Sequence, residues 1–296
     1  MKNTLITLLL LVALSSAGVY RDAGLGLYPF LKMDVGARTA ALGGTGSVNG
    51  GELSIFSNPA MVAASTPSIS IGHNQWFGST TQNFLAVTSN LGNRFRGSLG
   101  FRSVTTMDLE YRDNPTSDPV DTFNAMDFSF NGALAAQLGR FFLGTGVKVI
   151  HEKIWLESSN GWAIDFGFGY KVQDNLLFTG AYLHSGPEVQ MTGDSFRFPR
   201  TWVFGSRWDI GLPLGCASLS GQVMRPLDNQ TRAGFGLEYR IVDWAALRGG
   251  WKLNDDSSDL TAGAGLSASG WTFDYAFVPG EWSLGTSHRF TLSRSI

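Results

Sequence analysis

The sequence predicts an all-β protein: a transmembrane antiparallel β-barrel of about 14 strands behind a short N-terminal helical hatch. Three observations carry that prediction. From residue 68 onward the chain alternates apolar with small or polar residues at period two, the mark of strands with two different faces. Connections between these runs alternate in length. Eight of the nine tryptophans sit at run edges: Trp76, Trp155, Trp162, Trp202, Trp208, Trp244, Trp251 and Trp271.

The opening residues read as an export signal. Lys2 supplies the positive end, Leu5 to Leu14 is apolar apart from Thr7, and Ser15-Ser16-Ala17 is a small-residue cleavage site. The run is shorter than the roughly 20 residues of a spanning helix, so cleavage is expected over 1–17. No cysteine follows the site to carry a lipid. Cys216 is the single cysteine, so no internal disulfide is expected. Charged residues make up only 16% of the chain and the net charge is −2, which gives no basis for a nucleic-acid partner.

Fourteen alternating runs lie near 68–76, 81–89, 94–104, 125–138, 141–156, 161–172, 176–184, 201–210, 217–225, 231–241, 244–252, 260–268, 271–278 and 286–294. Most approach the 9–11 residues of a tilted membrane strand. The clearest is 162–172. Trp162, Ile164, Phe166, Phe168 and Tyr170 share one face; Ala163, Asp165, Gly167, Gly169 and Lys171 share the other. Large apolar residues recur on one face, and glycine, serine and charges of both signs on the other. That pattern fits a lipid-facing belt around a small polar lumen. Asp127, Lys148, Glu152, Asp165, Lys171, Arg207, Asp209, Arg232, Glu238, Arg248, Asp274 and Arg289 are candidates to pair across it.

Connections after even-numbered runs are short, as at Gly139-Arg140 and Ser269-Gly270. The long ones, 105–124 and 185–200, follow odd-numbered runs, as does the acidic 254–259. Short periplasmic turns and longer external loops give this parity, provided the first strand starts at the periplasmic rim. The chain thus divides into a signal (1–17), a hatch or plug (18–66) and a barrel (67–296). The expected location is the bacterial outer membrane, with outer-membrane lipid as its surroundings. The alternation runs on to Ile296, resembling the C-terminal signal read by barrel-assembly machinery, a partner during biogenesis.

Residues 19–66 do not alternate. Val35 to Leu42 is alanine-rich and predicts a short helix stopped by Gly43-Gly44. Asn58 before Pro59 predicts the start of a second, with Asn58 as N-cap and Pro59 in the first turn. A segment this short folds inside or under the barrel. Arg38, Gly43, Gly44, Asn58 and Pro59 are its hatch or gate candidates.

Several segments resemble the PorV/PorQ family: Phe30-Leu31-Lys32-Met33 with Gly36-Ala37-Arg38-Thr39-Ala40-Ala41-Leu42-Gly43-Gly44, and Ser57-Asn58-Pro59-Ala60, a segment FadL-type barrels also carry. Gly161-Trp162-Ala163-Ile164-Asp165, Arg248-Gly249-Gly250-Trp251 and His288-Arg289-Phe290 resemble later family segments. The resemblance implies a FadL-like barrel of fourteen strands. It also implies work with type IX secretion, in which PorV carries secreted proteins to the surface machinery, or, as in FadL, uptake of long-chain fatty acids. The external loops here are short for a cargo interface.

No catalytic constellation, metal site or cofactor site is expected. His73, His151, His184 and His288 lack ligand spacing, and Gly43-Gly44-Thr45-Gly46-Ser47 lacks the lysine of a phosphate loop. Three functions follow. The first is a non-enzymatic surface-assembly component that binds secreted or surface proteins through Tyr111, Arg112, Phe196, Phe198 and Arg200, residue types favoured at interfaces. The second is a FadL-like passive transporter of hydrophobic small molecules, with a pocket at Leu31, Met33, Phe56 and Met61. The third is a soluble exported β-protein.

Overall fold

The computed structural model describes residues 26–115, 117–282 and 284–296; the expected signal at 1–17 lies outside them. Among the described residues, sixteen strands follow the hatch. The first seven are β1 (Ser68–Gln75), β2 (Thr80–Asn90), β3 (Phe95–Tyr111), β4 (Asp121–Leu138), β5 (Phe141–Ile154), β6 (Glu157–Gln173) and β7 (Leu176–Ser185). A hairpin of β8 (Val189–Met191) and β9 (Asp194–Phe196) interrupts the series. It resumes with β10 (Thr201–Gly211), β11 (Cys216–Pro226), β12 (Arg232–Val242), β13 (Ala245–Leu253), β14 (Leu260–Ala268), β15 (Trp271–Pro279) and β16 (Thr286–Ser295).

Apart from β8 and β9, every strand pairs antiparallel with its neighbours, β10 with β7, and β1 closes onto β16 from Ser68↔Ser295 to Gln75↔His288. Closure gives each backbone donor and acceptor a partner within the sheet, which hydrocarbon requires. Outward positions are large and apolar: Leu99 is 70% exposed, and Phe130, Val147, Phe166, Phe204 and Leu247 are also bare. A soluble sandwich would cover such a continuous belt. Seven edge tryptophans point outward, as aromatic girdles do. Trp76 does not: it turns inward, and the Arg289 guanidinium stacks 3.8 Å from its ring centroid.

Strand lengths depart from the expectation on one side of the barrel. β3, β4, β5 and β6 run 14–18 residues, beyond what a bilayer needs. Most of the expected loop 105–124 is therefore strand, paired through Leu109↔Phe123 and Tyr111↔Asp121 past a bulge at Asp108. The other long connection, 185–200, contains the β8–β9 hairpin.

The hatch occupies the lumen. Its helical pieces are Pro29–Lys32, Ala37–Ala41, Gly46–Asn49, Gly51–Phe56 and Pro59–Ala64. Gly43 and Gly44, both at positive φ, stop the alanine helix as expected. Asn58 caps the last piece, its side chain accepting from the Ala60 N–H at 3.1 Å. Inward wall positions opposite the hatch are often glycine, and the reason is contact. A β-carbon on Gly250 would overlap the Gly43 nitrogen, and one on Gly234 the Gly43 carbonyl. Gly144 and Gly167 admit the Pro59–Ala60 backbone in the same way.

Candidate functional site: the hatch and its seat

Ala37–Ala41 lies against β13 to β16. Ala37, Ala40 and Ala41 pack on Ala276 and Val278, small residues that let two backbones approach. The Ala37 N–H, free at a helix start, donates to Thr291 Oγ1 at 2.9 Å. Arg38 grips Glu238 with both arms, Nε to Oε2 at 2.9 Å and Nη2 to Oε1 at 3.0 Å. Glu238 also accepts from Arg248 Nε at 2.7 Å, and Arg248 Nη1 reaches Asp274 Oδ1 at 2.7 Å. Burial would lower the affinity of the Arg38 guanidinium for its proton, but Glu238 beside it wins and raises its pKa. Gly43 N–H donates to Thr261 Oγ1, and Gln222 Nε2 donates to the Gly44 carbonyl. This is a polar latch, built on charges of β12, β13 and β15.

The later half is seated differently. Ile55, Phe56, Ala60, Met61 and Val62 form one apolar core with Phe84, Ala86, Ala135, Phe142 and Leu177 of the wall. Pro59 begins the last turn against Gly144, and Asn58 Nδ2 reaches the Phe168 carbonyl. At the short-turn end, Arg96 donates to the Ala63 and Ser65 carbonyls.

Toward the opposite mouth, Tyr28, Phe30 and Leu31 pack with Val104, Ile150 and Phe198. The Tyr28 N–H donates to Glu152 Oε2 at 3.0 Å. Arg102, fully buried on β3, lies between the rings of Phe30 and Phe56 at 4.9 and 5.7 Å. Beside it Lys148 Nζ holds Asp165 Oδ2 at 2.6 Å and donates to His184 Nδ1 at 2.9 Å.

Among the lumen charges, Lys148–Asp165, Glu238–Arg248 and Arg248–Asp274 do pair between strands. Arg207 and Asp209 instead pair along β10, and Arg289 turns to Trp76 and the hatch. Leu31, Met33 and Phe56 line a narrow cavity of about 50 Å³ between hatch and wall, while Met61 sits apart against Gly169. Of the loop residues, Tyr111 stacks on Trp155 with centroids 4.5 Å apart, and Arg112 pairs with Glu110. Phe198 is not at the rim: it is 3% exposed, tilted on Tyr28. Phe196 is half-buried with the same cluster, and the Arg200 N–H donates to the Phe198 carbonyl.

Three parts of the site escaped sequence reading. Arg102 falls on the inward face by simple alternation and was legible from its register. His184 was not: alternation puts Leu183 inward and His184 outward. A bulge shifts the β6–β7 register between Ile164 and Phe166, and His184, at φ 62°, turns into the lumen. The seating glycines show no signal beyond their facing.

No family model matches the sequence, and no curated protein matches it. The fold has counterparts among solved structures. It is similar to the toluene transporter TbuX of Ralstonia pickettii, with TM-score 0.65, 13% identity, and coverage of 90% of this chain and 100% of that one. The toluene transporter TodX of Pseudomonas putida gives 0.61 at 12% identity, covering 92% and 98%. The monoaromatic hydrocarbon channel CymD gives 0.62 at 11%, covering 90% and 98%. The molecule is a closed fourteen-stranded antiparallel barrel of the FadL-like kind, a fold of the outer membrane.

Proposed function

We propose that this barrel is a gated passive channel for small hydrophobic molecules, held closed by its hatch. One observation supports this most: a narrow cavity runs between hatch and wall, lined by Leu31, Val35, Phe56, Leu183, Val203 and Met224, with Lys32, Asp34, His184 and Gln222 among its polar residues. It adjoins the wider cup at the loop-bearing mouth, with Lys32, Met33, Asp34, Gly44, Gln222 and Met224 common to both. At about 50 Å³ the narrow cavity holds little more than one water, at about 30 Å³ each. Passage therefore needs the hatch to shift, and the polar latch is the part that can release. The likeness to monoaromatic hydrocarbon channels supplies the solute class.

The test is uptake of labelled toluene by cells with an intact outer membrane. Expressing the chain should raise uptake, and Glu238→Gln should raise it further by loosening the latch. Uptake unchanged by either chain ends the proposal.

A second reading, binding of secreted or surface proteins in the manner of the PorV/PorQ family, is favoured by the projecting ends of β3 to β6. They carry exposed Met107, Val120, Trp155 and Leu156 beside Tyr111. Mild extraction from the native membrane should then co-purify a surface protein, and Leu156→Glu should release it. Recovery of the barrel alone counts against this reading.

A further inference from the structure

The lipid-facing belt ends toward the loop-bearing mouth in a tryptophan girdle of Trp162, Trp202 and Trp251. One stretch of that girdle carries charge. Strands β7, β10 and β11 set Tyr182, Trp202 and Arg225 side by side at one level, through Trp202↔Tyr182 and Trp202↔Arg225. The alternate residues Val203 and Met224 pack inward with Ala181 and Leu183, so this row faces out. The Tyr182 and Trp202 rings lie 4.5 Å apart, and Phe204 follows them down the belt, 54% exposed. Pairing of β10 with β11 runs one step beyond the strand end, where the Leu227 N–H donates to the Arg200 carbonyl at 2.9 Å. Alternation therefore puts Arg200, two residues before Trp202, on the same outward face as Arg225.

Neither guanidinium makes an ion pair or a side-chain hydrogen bond among the described residues. The acids of the adjoining connections lie elsewhere. Asp228 turns inward to Lys32 at 2.7 Å, Glu188 holds Arg197 at 3.1 Å, and Asp194 stands at the tip of the β8–β9 hairpin. Diagonal neighbours on one face of an antiparallel pair are about 7–8 Å apart, so two long side chains there can close on one anion. Such an anion also cancels their mutual repulsion. The opposite girdle is finished differently: Arg294 lies over the Trp271 ring at 5.2 Å and donates to the Ser269 carbonyl. That cation is satisfied by its own chain.

A guanidinium fork matches the oxygens of a phosphate, and two forks match a doubly charged one. A phosphomonoester carries about −1.5 to −2 at pH 7. At the height of the girdle, next to bare Trp202 and Phe204, a phosphate has the place of a lipid headgroup whose acyl chains run down the belt. We infer that Arg200 and Arg225 form a docking site for the phosphomonoester headgroup of a membrane lipid in the loop-side leaflet, its chains lying on Trp202 and Phe204. The inference rests on the barrel and its belt. It stands apart from the channel reading, because its test reads lipid retention and not passage.

Native mass spectrometry of the full chain in detergent reads that retention. Dioleoyl phosphatidic acid supplies the phosphomonoester. Dioleoyl phosphatidylglycerol has the same chains with a phosphodiester, and dioleoyl phosphatidylcholine the same chains with no net charge. Phosphatidic acid should be retained saturably, about fivefold more tightly than phosphatidylglycerol, and phosphatidylcholine least. Arg200→Gln and Arg225→Gln should each weaken it about fivefold, while Arg294→Gln, which removes a cation from the opposite girdle, should leave it unchanged. Inorganic phosphate in excess should not displace the lipid. The heat-dependent gel shift of a folded barrel checks each variant, and Arg225→Gln carries the test if Arg200→Gln disturbs the loop. Phosphatidic acid held no more tightly than phosphatidylglycerol overturns the inference. So does an equal loss in Arg294→Gln, unchanged retention in folded Arg225→Gln, or displacement by inorganic phosphate, which would make this a site for the free anion.

Discussion

The two halves of the hatch are seated by different forces on different parts of the wall. Ala37–Ala41 meets β13 to β16 through alanines, threonine hydroxyls and the Arg38–Glu238–Arg248–Asp274 chain. Gly51–Ala64 meets β1 to β6 through Phe56, Met61 and Val62 in a dry core. A charged latch responds to ionic conditions and to the loss of one partner; an apolar anchor responds to neither salt nor modest pH change. The difference gives the hatch a hinged character. On the channel reading, the first half leaves its seat while the second stays fixed.

The comparison can be broken at the anchor. Phe56→Ala removes a buried ring from the core and from the Arg102 stack, and should cost about 3–5 kcal/mol. Limited proteolysis should then cut the whole hatch, at low and high salt alike, while the barrel keeps its folded gel mobility. Cutting that depends strongly on salt would show that the anchor is not apolar in effect.

The latch comes next. Glu238→Gln leaves Arg38 and Arg248 without their shared carboxylate. The cost should be about 3 kcal/mol, the low end for a broken buried pair because the Arg38 side chain is 27% exposed. Proteolysis should now reach the chain around Arg38 and spare Phe56 and beyond. In the parent chain, raising NaCl from about 0.15 to 1 M shortens screening from about 8 to 3 Å and should move the pattern the same way, more weakly.

Asn58 lies within the anchored half, between its two helical pieces. Asn58→Ala loses the cap on the last turn and should cost about 1 kcal/mol. Hydrogen exchange at Ala60 and Met61 should quicken, with the latch amides unchanged. The smallest effect is on pH. Burial would raise the pKa of the Asp255 carboxyl, but Lys252, Ser257 and Arg232 hold it below its usual value. Its contribution is therefore complete above the ordinary aspartate value of about 3.9. It should fade as pH falls below that value. Exchange in the 254–259 loop would report it, and an equal loss in Asp255→Asn would remove the assignment.

The fold was legible because membrane strands obey a local rule. Lipid on one side and lumen on the other force period-two alternation, so 162–172 announced β6 without reference to any other strand. The hatch stops at Gly43-Gly44 and Asn58-Pro59 were equally local, a matter of backbone geometry and capping. Sequence could also place Glu238, Arg248 and Asp274 on the inner face. It could not say that Arg38, some 200 positions earlier, would complete their chain, because pairing across the lumen depends on which strands the hatch meets.

The glycines mark the same boundary. On the inner face Gly144, Gly234 and Gly250 read as residues of a small polar lumen. Tertiary structure gives them another meaning: they are small because hatch backbone occupies the space a side chain would fill. His184 follows suit, since a single bulge reverses the face that alternation assigns to it. Sequence by itself determined the barrel, its strand faces and its local stops, all of which arise from neighbours in the chain. What fills the lumen, and the cup and narrow cavity left over, is set by contacts between distant segments, and these only closure of the barrel around the hatch decided.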